Sequence, residues 1–190
     1  MILLAAGQAK RFGGGKLLAE FQGQPLWERA AETAKAIDFC KRVVVVGPDS
    51  PIESRLGWIR VENQFAENGM GTSITVGVRA LTDCDRVIIM LADMPLVSRT
   101  HLERLIAAQG VAFTRYPDGS AGCPAILPRS AFRQLEGLTG EQGARSLEFG
   151  EAELVAPLDW RELADVDTVR DLEKLTSEPY KKAHGPTLVG

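Results

Sequence analysis

Three runs of consecutive apolar residues stand out along the first half of the chain. The first covers about residues 1–5, the second is Val43–Val46 and the third is Val87–Leu91. None of them alternates with polar positions, which is typical of parallel strands that are covered on both faces. Shorter strand candidates follow the same reasoning: Trp58–Val61, Val111–Thr114, Pro124–Leu127 and Glu153–Ala156.

Helical spacing of apolar residues fills the intervals between these strands. After Pro25, apolar residues recur at Leu26, Ala30, Ala34 and Ile37. Three further helices are predicted to begin at capping residues: Thr72 or Ser73, Thr100 with Glu103, and Thr168 with Asp171. The alternation predicts a three-layer α/β/α fold with a mostly parallel, Rossmann-like sheet and right-handed crossovers. We expect one domain over residues 1–175 and a C-terminal tail over 176–190.

Composition narrows the class of protein. The chain has 190 residues, of which 45% are hydrophobic and 25% charged, and its net charge is −3. Such a chain has no excess of cations for non-specific binding to nucleic acid. Three separated cysteines and two histidines fit neither a disulfide framework nor a thiolate or histidine-rich zinc site. The apolar start ends at Gly7, too early for an export signal or a membrane span, so we expect a cytoplasmic protein.

The loop after the first strand carries the strongest chemical signal. Residues 6–16 contain four glycines and three basic residues, and residues 1–19 contain no Asp or Glu. Glycines let backbone N–H groups approach a ligand closely, and lysine or arginine compensates its charge, so the loop suits a polyphosphate. It fits neither the P-loop nor the GxGxxG dinucleotide spacing. The alternative is a flexible surface loop with ordinary basic residues.

Three short segments of this region resemble the signature of the MobA-like NTP transferase family. They are Leu3–Gly7, Arg11-Phe12-Gly13 and Lys16-Leu17-Leu18, and the resemblance extends over about Ile2–Leu175. It implies a sheet of the nucleotide-diphospho-sugar transferase type. It also implies that the backbone of Leu4, Ala5, Ala6 and Gly7 binds a nucleotide, and that Arg11 and Lys16 bind its phosphates and stabilise the transition state.

The same resemblance implies a Mg²⁺ site. Asp93, in the segment LADMP, corresponds to the family's metal ligand and catalytic carboxylate, and a carboxylate after a strand is a suitable magnesium ligand. By position alone, a turn-forming aspartate before proline is an equal alternative. Asp167 is the second expected ligand, with Asp165 as its competitor. An ordinary helix cap explains Asp167 as well, and Val169 stands where the family often has proline.

Further segments resemble the family's substrate-binding regions. Asn63, Gly69 and Ser73 are expected to contact the base and ribose, although a glycine-containing loop with a helix cap accounts for them too. The segments 122–125 and 140–145 resemble the acceptor side. Glu141 stands where the family commonly has Asp, which leaves its role open, and Arg145 either meets an acceptor phosphate or lies on a helix face.

The sequence Leu4-Ala5-Ala6-Gly7 resembles the molybdenum cofactor cytidylyltransferase branch of the family. This implies CMP transfer from CTP to the molybdopterin-type cofactor, with a molybdoenzyme or cofactor-insertion protein as partner and no membrane or nucleic acid involved. Alternatives are cytidylyl or guanylyl transfer to methylerythritol phosphate or a sugar phosphate, an NAD(P)-dependent oxidoreductase, and a non-catalytic nucleotide-binding protein.

Overall fold

A seven-stranded sheet forms the centre of the computed structural model, which describes residues 1–54 and 57–177. The strands are β1 (Ile2–Ala5), β4 (Val43–Val46), β5 (Ile59–Glu62), β6 (Arg86–Leu91), β7 (Val111–Arg115), β8 (Ala121–Pro128) and β9 (Ala152–Val155). Their order is β5-β4-β1-β6-β8-β7-β9. Only β8 runs against its neighbours, β6 and β7. The predicted mostly parallel sheet is confirmed.

Helices cover both faces of this sheet. They are α1 (Leu26–Lys35), α2 (Met70–Arg79), α3 (Arg99–Ala107), the short α4 (Phe132–Leu135) and α5 (Val169–Ser177). Leu3 and Ala5 of β1 belong to the core on the α1 and α3 side, and Ile2 and Leu4 belong to the core on the α2 and α4 side. Because both faces of β1 are buried, its apolar run has no polar alternation. The predicted three-layer architecture is therefore confirmed.

A small hairpin connects the first loop to α1. It pairs β2 (Glu20–Phe21) with β3 (Gln24–Pro25). Phe21 and Leu26 form a third apolar cluster with Leu96 and Val166, against which Leu172 and Leu175 of α5 pack. The last helix is thus docked beside the first loop. The predicted tail over 176–190 lies, from residue 178 onward, outside the described residues.

The helix starts differ from two of the three capping predictions. Thr168 and Asp171 form the predicted reciprocal cap, with N···O distances of 2.7 and 3.2 Å. α3 is capped by Ser98, whose hydroxyl accepts from His101 N, so Thr100 is not its cap. α2 follows Gly69, and Thr72 donates to the Gly69 carbonyl at 2.8 Å, so the predicted cap at Thr72 or Ser73 is wrong as well.

Within the described residues, no helix combines the length and the apolar character needed to cross a bilayer.

Candidate active site

A cavity of about 530 Å³ opens at the carboxyl ends of β1 and β6. The chain passes from β1 to β4 on one side and reaches β6 on the other, so this edge is the switch point of the parallel sheet, where ligands bind in such folds. Of the residues expected to bind the nucleotide, its phosphates and the metal as first choices, all except Asn63 line the cavity: Leu4, Ala5, Ala6, Gly7, Arg11, Lys16, Gly69, Ser73, Asp93 and Asp167.

The first loop delivers Lys16 to the cavity floor. Ala9 has φ 47°, and its carbonyl accepts from both Phe12 and Gly14, which folds the loop back on itself. Gly13, Gly14 and Gly15 all have positive φ, a conformation that glycine adopts without strain. A short 3-10 turn, Lys16–Leu18, then begins at Lys16, which is 8% exposed. A buried lysine needs an anionic partner.

That partner is a pair of carboxylates that lie 74 residues apart in the sequence. Lys16 Nζ donates to Asp93 Oδ2 at 2.7 Å, and Asp167 Oδ1 lies 3.5 Å from the same ammonium. Arg11 donates to Asp167 Oδ2 at 2.7 Å from a largely exposed position. The structure therefore brings together the four charged residues that the sequence analysis selected across an interval of 156 residues.

The backbone fixes the two carboxylates relative to each other. Asp93 follows β6, where Ala92 N donates to the Leu4 carbonyl, and Val166 N donates to the Asp93 carbonyl at 3.0 Å. Asp93 Oδ1 is buried, and none of the described residues donates a hydrogen bond to it. A buried carboxylate oxygen without a donor is costly unless a cation or water satisfies it.

These residues suit a hard divalent cation. One carboxylate oxygen of Asp93 and one of Asp167 lie within 3.5 Å of the Lys16 ammonium nitrogen, so the two carboxylates are close enough to contact one cation. Among the described residues there is no cluster of three His, Cys, Asp or Glu that would hold a metal unaided. Two carboxylates completed by substrate phosphates and water are the usual ligand set of Mg²⁺.

Asp165 lies beside this pair but is not part of the cavity wall. Partial burial, together with the negative charges of Asp93 and Asp167, raises the pKa of its carboxyl above the ordinary value. Asp167, by contrast, contacts both cations of the first loop. The geometry thus favours Asp167 over Asp165 as the carboxylate that shares a cation with Asp93.

The three expected base-binding residues are all buried, but they differ in whether they line the cavity. Asn63 is fully buried, and its amide donates to Thr72 Oγ1 and Ser73 Oγ at 2.8 and 2.9 Å. Its carbonyl oxygen accepts from Phe65 N. The expected contact of Asn63 with the base is therefore not supported, because its polar atoms hold the loop 63–69 against α2. Gly69 and Ser73 remain at the cavity wall.

Close packing at the start of α2 brings a second loop to the cavity. A Cβ at Gly69 would lie 2.4 Å from the Gly140 carbonyl, and a Cβ at Gly71 would lie 2.8 Å from Thr139 N. Gly71 N donates to the Gly140 carbonyl at 2.9 Å. Both glycines are needed for this approach, which places Glu141 in the cavity wall.

Sequence reasoning missed part of the cavity lining. Outside the loop and signature segments that it selected, the missed residues are Ala66, Glu67, Met70 and Leu91. It also missed an adjoining cavity of about 480 Å³ that shares the wall 5–9 and reaches residues 47–52 beyond β4. A signal for the second cavity was present, since Gly47-Pro48 ends a strand at the same sheet edge as Gly7.

On the expected acceptor side, Tyr116 fixes the segment 122–125. Its hydroxyl donates to the Cys123 carbonyl at 3.0 Å, and a Cβ at Gly122 would lie 2.6 Å from its ring. Burial raises the pKa of Tyr116 to about 12, so its phenol stays protonated at neutral pH. Arg145 is exposed in a 3-10 turn, Ala144–Ser146. Neither segment lines the main cavity apart from Glu141.

Comparison with known proteins identifies a matching family model and similar chains. Residues 1–154 match the family model described as the MobA-like NTP transferase domain. The purine catabolism protein PucB of Bacillus subtilis (strain 168) is 29% identical over 192 residues, covering 90% of this chain and 93% of the relative. The nicotine blue oxidoreductase of Paenarthrobacter nicotinovorans is 29% identical over 194 residues, covering 92% and 94%.

Solved structures show the same fold. The crystal structure of Rv0371c from Mycobacterium tuberculosis H37Rv has a TM-score of 0.76 and 25% identity, covering 94% of this chain and 97% of that one. A complex of Rv0371c with manganese has a TM-score of 0.73 and 22% identity, with the same coverage.

Proposed function

The chain belongs to the MobA-like NTP transferase family, and on that premise we propose that it transfers CMP from CTP to a phosphorylated small molecule. The observation that carries the proposal is the meeting of Lys16 with Asp93 and Asp167 under the glycine-rich loop. Cations for a triphosphate and carboxylates for a divalent metal lie in one cavity, as nucleotidyl transfer requires.

The reaction needs no covalent protein nucleophile. An acceptor phosphate oxygen attacks the α-phosphorus of CTP, and the bond from that phosphorus to the oxygen that leads to the β-phosphate breaks, releasing pyrophosphate. A phosphate monoester has a second pKa of about 6, so the attacking oxygen is already deprotonated at neutral pH. Catalysis then depends on alignment and on neutralising charge at the phosphates.

The proposed roles follow the positions of the side chains. The Lys16 ammonium and the Arg11 guanidinium donate to phosphate oxygens and stabilise the charge that develops as pyrophosphate leaves. Backbone groups of residues 4–7 hold the nucleoside, with Gly69 and Ser73 on the opposite wall. Asp93 and Asp167 are the residues to hold Mg²⁺ or Mn²⁺, which supplies charge neutralisation and a template for the phosphates. A solved structure with the same fold, Rv0371c, is a complex with manganese, which supports a divalent cation as the metal.

The acceptor we propose is the molybdopterin-type molybdenum cofactor. Support for this acceptor comes from the resemblance of the Leu4-Ala5-Ala6-Gly7 turn to the molybdenum cofactor cytidylyltransferase branch. Ala6 lines both adjoining cavities, where its methyl group would crowd a purine more than a pyrimidine, which supports CTP as the nucleotide. Methylerythritol phosphate and sugar phosphates are the competing acceptors. The relatives do not decide among them, because the name PucB describes purine catabolism and not an acceptor.

Pyrophosphate release separates these possibilities. It is measured with each of the four nucleoside triphosphates and Mg²⁺, with the molybdenum cofactor, methylerythritol phosphate or a sugar phosphate as acceptor. We expect release with CTP and the molybdenum cofactor. A clear preference for GTP contradicts the cytidylyl assignment, and release with a different acceptor contradicts the cofactor assignment.

An NAD(P)-dependent oxidoreductase is the second candidate function. The observation that favours it is a relative of nearly the same length that bears an oxidoreductase name. Against it stands the first loop, which lacks the GxGxxG spacing of dinucleotide-binding sheets. Oxidation of NADPH by the purified chain, with no nucleotidyl transfer under any acceptor, would establish it in place of the transferase.

A further inference from the structure

Every charged group that the proposed function assigns to the ligands is paired with another such group in this structure. Lys16 contacts Asp93 and Asp167, and Arg11 contacts Asp167. The proposed function needs different pairs, since the carboxylates must face a divalent cation and the cations must face phosphates. The pairs in this structure and the pairs that the proposed function needs therefore use the same four charged side chains.

The Lys16–Asp93 contact is the stronger of the internal pairs. Its side chains are only 10% and 19% exposed, and the 2.7 Å distance is that of a charge-assisted hydrogen bond. The Arg11 side chain is 78% exposed, so solvent and salt screen its contact with Asp167. Breaking the Lys16–Asp93 pair without replacing either partner would leave a largely buried charge uncompensated, which is costly.

Replacing both partners together removes this cost. A divalent cation at Asp93 repels the adjacent ammonium of Lys16, and a phosphate group offers that ammonium a new anionic partner. A divalent cation alone displaces the Lys16 ammonium from Asp93 and gives it no phosphate in exchange. A polyphosphate alone draws Lys16 away and leaves the Asp93 carboxylate without that cationic partner. Only the two ligands together satisfy all four charges.

We propose that Lys16 is the resident counter-ion of the metal site, exchanging Asp93 for the polyphosphate when a divalent cation arrives. The cation and the polyphosphate then bind with positive coupling, and by reciprocity each raises the affinity for the other equally. This inference rests on the proposed function, which names a divalent cation and a polyphosphate as the ligands. The new element is that Asp93 makes an inhibitory contact with Lys16, the phosphate-binding lysine.

The first test measures binding of pyrophosphate to the full chain in excess EDTA, by calorimetry. Without metal, Asp93 only competes for Lys16, so Asp93→Asn should tighten pyrophosphate binding by about tenfold or more, the usual effect of a hydrogen bond to a charged group. Glu67→Gln is the matched control, because Glu67 lines the same cavity and loses the same charge without contacting Lys16. We expect it to change affinity by less than about fivefold.

The second test measures Mn²⁺ binding to the chain without nucleotide, by electron paramagnetic resonance. Lys16→Met removes the competing ammonium and should tighten Mn²⁺ binding by about tenfold. Lys10→Met is the matched control, since Lys10 lines the cavity and is exposed. This arm decides the matter if Asp93→Asn does not fold.

Two results overturn the inference. Weaker metal-free pyrophosphate binding in Asp93→Asn would show that Asp93 positions Lys16 for phosphate instead of competing for it. Equal Mn²⁺ affinities of Lys16→Met and Lys10→Met would show that only overall charge matters. Both tests measure binding and not turnover. A negative result would therefore refute the proposed coupling without refuting the proposed choice of CTP and acceptor, and the reverse also holds.

Discussion

Substitution of Gly71 by alanine tests how the cavity wall is built. The new Cβ would lie 2.8–2.9 Å from N, O and C of Thr139, which are main-chain atoms that yield only if the segment 139–141 moves. Overpacking of this kind costs about 1–3 kcal/mol, and losing the bond from Gly71 N to the Gly140 carbonyl costs about 1 kcal/mol more. Alanine recovers up to about 1 kcal/mol as a better helix former. The expected net loss of stability is about 1–3 kcal/mol.

Urea unfolding and CTP affinity, both measured on the same variant, check this expectation. We expect a lower unfolding midpoint, together with weaker CTP binding because Gly69, in the nucleotide-binding wall, packs against the segment that moves. Gly143→Ala is the matched control in the same loop, since a Cβ there meets only the Met70 sulfur at an ordinary 3.7 Å. A Gly71→Ala protein as stable as the wild type, or more stable, would refute the packing argument.

Three further predictions concern single side chains. Lys16→Ala should raise the barrier to nucleotidyl transfer by about 2.7–4 kcal/mol, or 10² to 10³ in kcat, and near-normal turnover with bound Mg-nucleotide would remove Lys16 from the mechanism. Asp167→Asn should weaken Mn²⁺ binding in the presence of nucleotide more than Asp165→Asn does, and the reverse order would make Asp165 the ligand. Burial lowers the pKa of His101 to about 4, so the folded state resists its protonation. Stability should therefore fall by up to about 1.4 kcal/mol per pH unit as pH drops from about 6.5 toward 4. His101→Gln should flatten this slope in urea titrations, and an unchanged slope would contradict the assignment.

Local patterns predicted most of the fold. The three apolar runs are the central strands β1, β4 and β6, because a strand covered on both faces must be apolar throughout. The reciprocal cap of Thr168 and Asp171 was also predictable, since it depends on residues three positions apart. These features need no knowledge of distant parts of the chain.

The helix starts at Gly69 and Ser98 were predicted wrongly for a physical reason. Thr72 and Thr100 have capping side chains, but the chain direction at each helix entry is set by packing elsewhere. Gly69 and Gly71 meet the loop 139–141, and Ser98 donates to the buried carboxylate of Glu162 at 2.6 Å. Propensity at one position cannot anticipate a partner more than 60 residues away.

In the candidate site, too, some features were predictable from local sequence and others depended on tertiary contacts. The glycine-rich loop with its basic residues, and an aspartate after a strand at the same sheet edge, are local features that indicated a phosphate and metal site. Two features of the site depend on contacts between distant segments. Asn63 uses its polar atoms to hold a loop, and the close packing at Gly69 lets Glu141 reach the cavity wall.

The amino-acid sequence alone determined the layered sheet, the edge at which its chemistry lies and the family of the chain. Strand periodicity, glycine content and charge are properties of neighbouring residues, so they can be read without knowing which distant segments will cover them. Only the tertiary structure decided which charges meet. Lys16 meets Asp93 because β1 and β6, distant in sequence, end at the same sheet edge. It meets Asp167 because the segment before α5 is hydrogen-bonded to Asp93 through Val166 N.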